Sequence, residues 1–121
     1  MQAAREAASG ALASYSHYRV GAALRAESGA IYSGANIESA SYGLSICAER
    51  VALFLALMAG EREFTELALT GFDASGQEQP GITPCGACRQ LLAEYAPGLI
   101  VHLNDGRHLT IEELLPEAFR L

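Results

Sequence analysis

Cationic charge is scarce in this chain: eight Lys and Arg stand against fourteen Asp and Glu, a formal net charge of −6 at pH 7. With a sequence pI near 4.9, such a surface is not made to follow a phosphate backbone, and a nucleic-acid partner is not expected. Long apolar runs are missing too. No stretch reaches the roughly 18 residues that suggest a membrane span, and no basic run precedes an apolar segment. Neither insertion nor export is expected, and the reading is a cytoplasmic protein without a membrane partner. Repeats and low-complexity linkers are absent. Cysteine is limited to three residues, an odd number that suits metal binding or reactive thiols better than a disulfide framework.

What is present is short and apolar. With 121 residues, half of them hydrophobic, the chain can build one core but not two, so residues 1–121 are read as a single domain. Residues 2–13 are rich in alanine and predict a first helix. Arg19 to Ala26, with Val20, Ala22 and Leu24 in alternation, and Ala30 to Gly34 flank the turn at Ser28-Gly29 and predict a hairpin. Residues 39–43 have the composition of a loop. From Cys47 to Met58 an almost wholly apolar helix is expected, stopped by Gly60. A strand over Phe64 to Phe72 and a flexible loop over Asp73 to Gly81 follow. A helix then starts at Cys85 or Gly86 and ends at Pro97-Gly98. Leu99 to Leu103 reads as a short strand, Asn104-Asp105-Gly106 as a turn, and Thr110 to Glu113 as a capping box opening a brief last helix. This alternation suggests an α/β fold with a mixed sheet covered by helices.

The three cysteines lie at the two predicted helix starts that open on them. Cys47-Ala48-Glu49-Arg50 holds one, and Pro84-Cys85-Gly86-Ala87-Cys88-Arg89-Gln90 holds the other two. Helix N-termini stabilise thiolates through their unpaired N–H groups and dipole. Three thiolates cannot close the four-coordinate shell that zinc favours, which leaves one position for water and suggests a catalytic Zn2+ held by Cys47, Cys85 and Cys88. Glu49, two residues after the first ligand, can reach that water without ligating the metal and is the natural proton shuttle. Arg50 is a candidate to draw charge from the sulfurs. Each residue also has an ordinary reading. Cys47 alone would be a buried apolar residue, Cys85 and Cys88 a redox pair, Glu49 a helix-start acid and Arg50 a solvated surface charge. A redox pair leaves Cys47 and Glu49 unexplained. His17, His102 and His108 show no metal spacing.

A Cys before Glu followed later by Pro-Cys-x-x-Cys is the pattern of zinc deaminases. Together with Ser14-Tyr15-Ser16-His17-Tyr18-Arg19-Val20-Gly21-Ala22-Ala23-Leu24 and Asn36-Ile37-Glu38, it makes the chain resemble the small homotetrameric cytidine deaminases over nearly its whole length. Tyr18 stands where members of that family often have Phe. The resemblance implies a mixed five-stranded sheet covered by helices on both faces, a three-layer α/β/α arrangement. It also implies hydrolytic deamination of cytidine and 2′-deoxycytidine, small-molecule substrates of pyrimidine salvage, to the uridines with release of ammonia. Zinc-bound hydroxide would attack C4, with Glu49 moving the protons. On the same grounds Asn36 and Glu38 would hold the sugar hydroxyls, Tyr18 would line the pyrimidine side, and the loop from Ala40 to Tyr42 would approach the base. Phe119 would reach a neighbouring subunit's substrate in a homotetramer. Outside the family, Asn36 reads as a turn residue, Glu38 as a solvated charge and Tyr18 as core. The alternatives are a deaminase of another aminopyrimidine nucleoside such as blasticidin S, a structural zinc module with a histidine as fourth ligand, and a nucleic-acid-editing deaminase, against which the acidic balance weighs.

Overall fold

A computed structural model describes residues 1–121. In chain order it contains helix α1 (Gln2–Ala8), strands β1 (Arg19–Ala26) and β2 (Ile31–Ala35), a 3₁₀ turn (Tyr42–Leu44), helix α2 (Ala48–Met58), strand β3 (Phe64–Phe72), helix α3 (Gly86–Tyr95), strands β4 (Ile100–Leu103) and β5 (His108–Thr110), and helix α4 (Ile111–Leu114). The five strands form one sheet in the order β2-β1-β3-β4-β5. β3 and β4 run parallel, joined by the crossover through α3, and the other pairings are antiparallel. The mixed sheet expected from the sequence is present.

Two glycines fix how closely the helices approach. Gly21 pairs with Ala35, and Gly34 with Ala22, so the two glycines face opposite sides of the sheet. A Cβ at Gly21 would lie 1.9 Å from the carbonyl oxygen of Ala4, and one at Gly34 would lie 2.6 Å from Ala48 O and 2.6 Å from Ala52 N. α1 therefore rests on one face through Ala4 and Ala8, both buried, while α2 rests on the other. α3 packs beside α2, and α4 beside α3. The main core lies between the sheet and α2 with α3. Ala22 and Leu24 of β1, Leu67 and Leu69 of β3 and Val101 of β4 meet Ala52, Leu53 and Leu92 there. The expected three layers are thus formed. No helix is long and apolar enough to cross a membrane.

Several boundaries differ from the sequence reading. α1 ends at Ala8, not near residue 13, because Ser9 and Gly10 turn the chain out of the helix. The residues beyond it make β-type contacts instead: Leu12 N–H donates to Asn36 O, and Glu38 N–H to Leu12 O, each at 2.9 Å. The segment from 73 to 81, expected as a flexible loop, carries local hydrogen bonds of its own. Asp73 Oδ1 accepts from Ser75 and Gln77 N–H, each at 2.9 Å, and Glu78 bridges back to Phe72. The strand His108–Thr110 was not read in the sequence; its pairing with β4 is antiparallel. Thr110 does form the expected capping box with Glu113.

Since an added methyl at either glycine must push a helix off the sheet, Gly21→Ala and Gly34→Ala should each lower unfolding stability by about 1–3 kcal/mol, the usual cost of overpacking. Urea denaturation measures this. The Gly34 variant should also bind zinc more weakly, because the displaced helix is the one that begins beside Cys47; equal zinc affinity in the two variants would contradict that link.

Candidate metal centre and adjoining cavity

Cys47 and Cys85 are the N-cap residues of α2 and α3, both in extended conformation, and neither side chain caps its helix. Their sulfurs face each other instead. Cys47 Sγ lies 3.7 Å from Cys85 Sγ, and Cys85 Sγ lies 3.5 Å from Cys88 Sγ, which sits one turn into α3 and is fully buried. All three sulfurs lie within 4.8 Å of one another. A tetrahedral zinc with Zn–S bonds of about 2.3 Å places its sulfurs about 3.8 Å apart. The donor set and its spacing therefore fit zinc, with one coordination position left over. No histidine or carboxylate joins the trio, which leaves a structural centre without its fourth protein ligand. His102 instead lies 3.1 Å from Glu66 on the sheet.

The thiols are unequal. A hydrogen bond from Cys88 is the largest influence holding the Cys47 thiol down to about 5; burial opposes it, and Arg50 and Cys85 assist. Cys88 is pushed up by that same bond, by burial and by the charge of Glu49. A bound divalent cation deprotonates coordinating thiols outright. Arg50 does not behave as a solvated surface charge: Nη2 donates to Cys47 Sγ at 3.4 Å, and Nε is buried without a hydrogen-bond partner. The thiolate in turn raises the pKa of the guanidinium.

Glu49, in the first turn of α2, is only 5% exposed. Burial drives its carboxyl up to about 7, against a backbone hydrogen bond that lowers it and with the charge of Cys47 raising it further. It lines a cavity of about 330 Å³, together with Cys47, Cys85, Tyr18, Asn36 and Glu38. That volume suits a small organic ligand. A larger hollow of about 510 Å³ lies on the α1 face, away from the cysteines. Its arginines are already paired, Arg5 with Glu78, Arg25 with Glu66 and Arg107 with Asp105.

The far side of the site is built from hydrogen bonds. Asn36 is buried; its Oδ1 accepts from Val20 N–H at 2.8 Å and its Nδ2 donates to Tyr18 O at 2.9 Å. Glu38 accepts from the backbone N–H groups of Tyr15 and Ser16 and from the Ser16 hydroxyl, and these bonds lower its pKa. Tyr18 lies over Gly71, where an added Cβ would come within 2.8 Å of its ring. Tyr42 sits at the mouth, in an adjoining hollow shared with Glu38, and its ring meets that of Tyr15 edge-on at 6.3 Å between centroids.

Three expected site residues do not line the cavity within one chain: Tyr42, which stands in the adjoining hollow, Ala40 and Phe119. Ala40 is exposed and lines neither hollow beside Glu38. Phe119 is 67% exposed, with its carbonyl held by Gln90 Nε2 at 2.9 Å. Ser16, Ile82 and Thr83 line the cavity without having been singled out as site residues, although Ser16 stands inside the motif from Ser14 to Leu24. Arg89 was likewise missed. Its Nε donates to Pro84 O at 2.7 Å, Nη2 to Thr83 Oγ1 at 3.1 Å and Nη1 to Leu114 O at 2.7 Å, so it orients the turn that presents Cys85. Its place beside Cys88 was the available signal.

Residues 1–103 match the family described as "Cytidine and deoxycytidylate deaminase zinc-binding region". A cytidine deaminase of Halalkalibacterium halodurans is 44% identical over 119 residues, covering 94% of this chain and 86% of that protein. A blasticidin-S deaminase of Bacillus cereus is 34% identical over 105 residues, covering 82% of this chain and 75% of that one. The crystal structure of a cytidine deaminase from Burkholderia pseudomallei superposes with a TM-score of 0.89 at 45% identity, covering 98% of this chain and 94% of that one.

If the trio is the complete set of protein ligands, Cys47→Ala, Cys85→Ala and Cys88→Ala should each lose most of the bound zinc. His102→Ala and His108→Ala should keep all of it. Metal analysis of the purified variants decides this, and a cysteine variant with a full complement of zinc would remove that residue from the set.

Proposed function

Since the chain belongs to the cytidine and deoxycytidylate deaminase family, we infer that its cavity hydrolyses cytidine and 2′-deoxycytidine to the uridines, with ammonia as the second product. The observation that carries this reading is one small cavity lined by two members of a zinc-compatible trio of sulfurs, Cys47 and Cys85, by a buried carboxyl that is not part of their cluster, and by the polar pair Asn36 and Glu38. Zinc, when held by Cys47, Cys85 and Cys88, supplies Lewis-acid activation of water at its open position.

The remaining work falls to the chain's own groups. Glu49 takes one proton from the attacking water and gives it to N3 of the pyrimidine, then takes the second from the new C4 hydroxyl and gives it to the departing amine, so that water adds at C4 and ammonia leaves. Its burial keeps competing solvent away, and its site in the first turn of α2 fixes it beside Cys47. Arg50 offsets negative charge at Cys47. Asn36 and Glu38 receive the sugar hydroxyls, Tyr18 walls the pyrimidine side, and the loop carrying Ala40 and Tyr42 approaches the base. The higher identity to cytidine deaminases than to the blasticidin-S deaminase favours an ordinary nucleoside. The excess of acidic residues favours a free nucleoside over a nucleic-acid strand. The same reading makes this a cytoplasmic enzyme of pyrimidine salvage.

Assembly completes the reading. Phe54, Leu55 and Met58 leave one side of α2 exposed, Met58 by 86%, a contiguous apolar stripe on a small domain. We read it as a subunit contact in a homotetramer, with Phe119 serving a neighbour's cavity and not its own.

Incubating the zinc-loaded protein with cytidine and following uridine and ammonia tests the activity directly; no turnover of either nucleoside would end the reading. Glu49→Gln should keep its zinc while losing 10²- to 10⁴-fold in turnover, the usual range for general acid–base catalysis. Near-normal turnover in that variant would sink the proton-shuttle role. For assembly, light scattering should give about four times the 12.8 kDa of one chain, and Phe119→Ala should raise the KM for cytidine without loss of zinc. A fully active monomer, or an unchanged KM, would each count against the corresponding half.

A further inference from the structure

Glu38 faces the cavity with its carboxylate already engaged. Oε1 accepts from the N–H groups of Tyr15 at 3.1 Å and Ser16 at 2.9 Å. Oε2 accepts from the Ser16 hydroxyl and, at 3.3 Å, from Asn36 Nδ2. A carboxylate offers about four acceptor positions, so none is left over for a substrate hydroxyl. One of these donors must give way. The two N–H groups are backbone, and Asn36 is buried and fixed by Val20 and Tyr18. Only the Ser16 hydroxyl can leave by a bond rotation.

Ser16 is also held in place for that exchange. Its Oγ accepts from Tyr18 N–H at 3.0 Å, which anchors the oxygen while leaving the hydroxyl proton free to turn. Between the two, His17 adopts φ 58°, in the left-handed region that non-glycine residues seldom occupy. This turn brings Tyr18 N–H back onto Ser16. The loop accepts an unfavourable backbone angle in order to keep one hydroxyl against Glu38.

We propose that Ser16 is a specificity-determining residue whose hydroxyl stands in on Glu38 for a substrate hydroxyl, yielding when the sugar presents one and returning when it does not. This rests on the reading of Glu38 as a sugar-binding residue. A pocket whose polar groups are left unpaired by a missing hydroxyl rejects the deficient analogue strongly. Ser16 removes that penalty, because Glu38 keeps a donor in either case. It also lowers the gain from a hydroxyl that is present, because an existing hydrogen bond is exchanged and not a new one made. Both effects narrow the gap between a nucleoside that carries the hydroxyl and one that lacks it.

The test compares kcat/KM for cytidine, 2′-deoxycytidine and 3′-deoxycytidine in the zinc-loaded wild type, Ser16→Ala and Ser16→Thr. The deoxynucleoside that lacks the hydroxyl contacting Glu38 should fall further behind cytidine in Ser16→Ala by on the order of tenfold, the size of one hydrogen bond to a charged group. The change should appear in KM and not in kcat, and Ser16→Thr, which keeps the hydroxyl, should restore the wild-type ratio. Should Ser16→Ala fold poorly, Ser16→Cys keeps the size but donates weakly and should widen the same ratio. An unchanged or narrowed ratio in a folded variant with full zinc would overturn the proposal. Glu38→Gln separates the two layers. If it weakens cytidine binding while the serine variants leave the ratio alone, only the role of Ser16 falls; if it leaves the KM for cytidine unchanged, the sugar-site reading falls with it.

Discussion

The three sulfurs can meet only because α2 and α3 begin at the same place on the sheet. Cys47 occupies the N-cap position of one helix and Cys85 that of the other, and Cys88 follows one turn behind. Much of the architecture serves that meeting. The crossover from β3 to its parallel neighbour β4 passes through α3 and sets the start of that helix at the end of the sheet where α2 also starts. Gly34 lets the first turn of α2 lie against β2 more closely than any side chain would permit. Two helix N-termini then direct their positive ends at sulfurs that carry negative charge, and Arg50 adds a full positive charge at 3.4 Å from Cys47. Each of these contributions stabilises thiolate, which zinc requires of its ligands.

The other half of the cavity follows a different logic. The cysteine side is mounted on helices packed into the core, whereas the Asn36 and Glu38 side depends on side chains bonded to loop backbone. Asn36 ties Val20 to Tyr18, and Glu38 gathers the N–H groups of Tyr15 and Ser16. These residues shape the loop after α1 as much as they line the cavity. A group that positions reacting atoms gains from rigidity, while a group that receives a flexible sugar tolerates adjustable partners. The division of the cavity between helix ends and a hydrogen-bonded loop matches those two demands.

The chemistry was legible in the sequence where residue type alone restricts it. Three thiols with Glu49 between the first and the rest leave few uses, and the helix starts at Ala48 and Gly86 could be read from the change in apolar pattern. Features that arise from pairing across the chain were not legible. β5 has three residues and exists because His108 and Leu109 find partners in His102 and Val101 of β4. α1 reads as longer than it is because alanine favours helix, yet Gly10 and the bridge from Leu12 to Ile37 prevail. The segment after Asp73 has loop composition, but the Asp73 carboxylate orders it through backbone N–H groups. Ser16 has no readable role within its motif because nothing in the local sequence shows which carboxylate its hydroxyl meets. Phe119 stays outside the cavity of its own chain, and no one-chain argument can bring it in.

Arg89 spans two parts of the chain that are distant in sequence: the turn at Thr83 and Pro84, and the carbonyl of Leu114 at the end of α4. A native protein opens in cooperative blocks and not residue by residue, and the limits of a block are set by bonds of this kind. With one guanidinium serving both, the end of α4 and the Cys85 turn are tethered through a single side chain. The position of Cys85 therefore draws on a carbonyl that lies 25 residues beyond Arg89 in the chain, outside the segment that carries the cysteines.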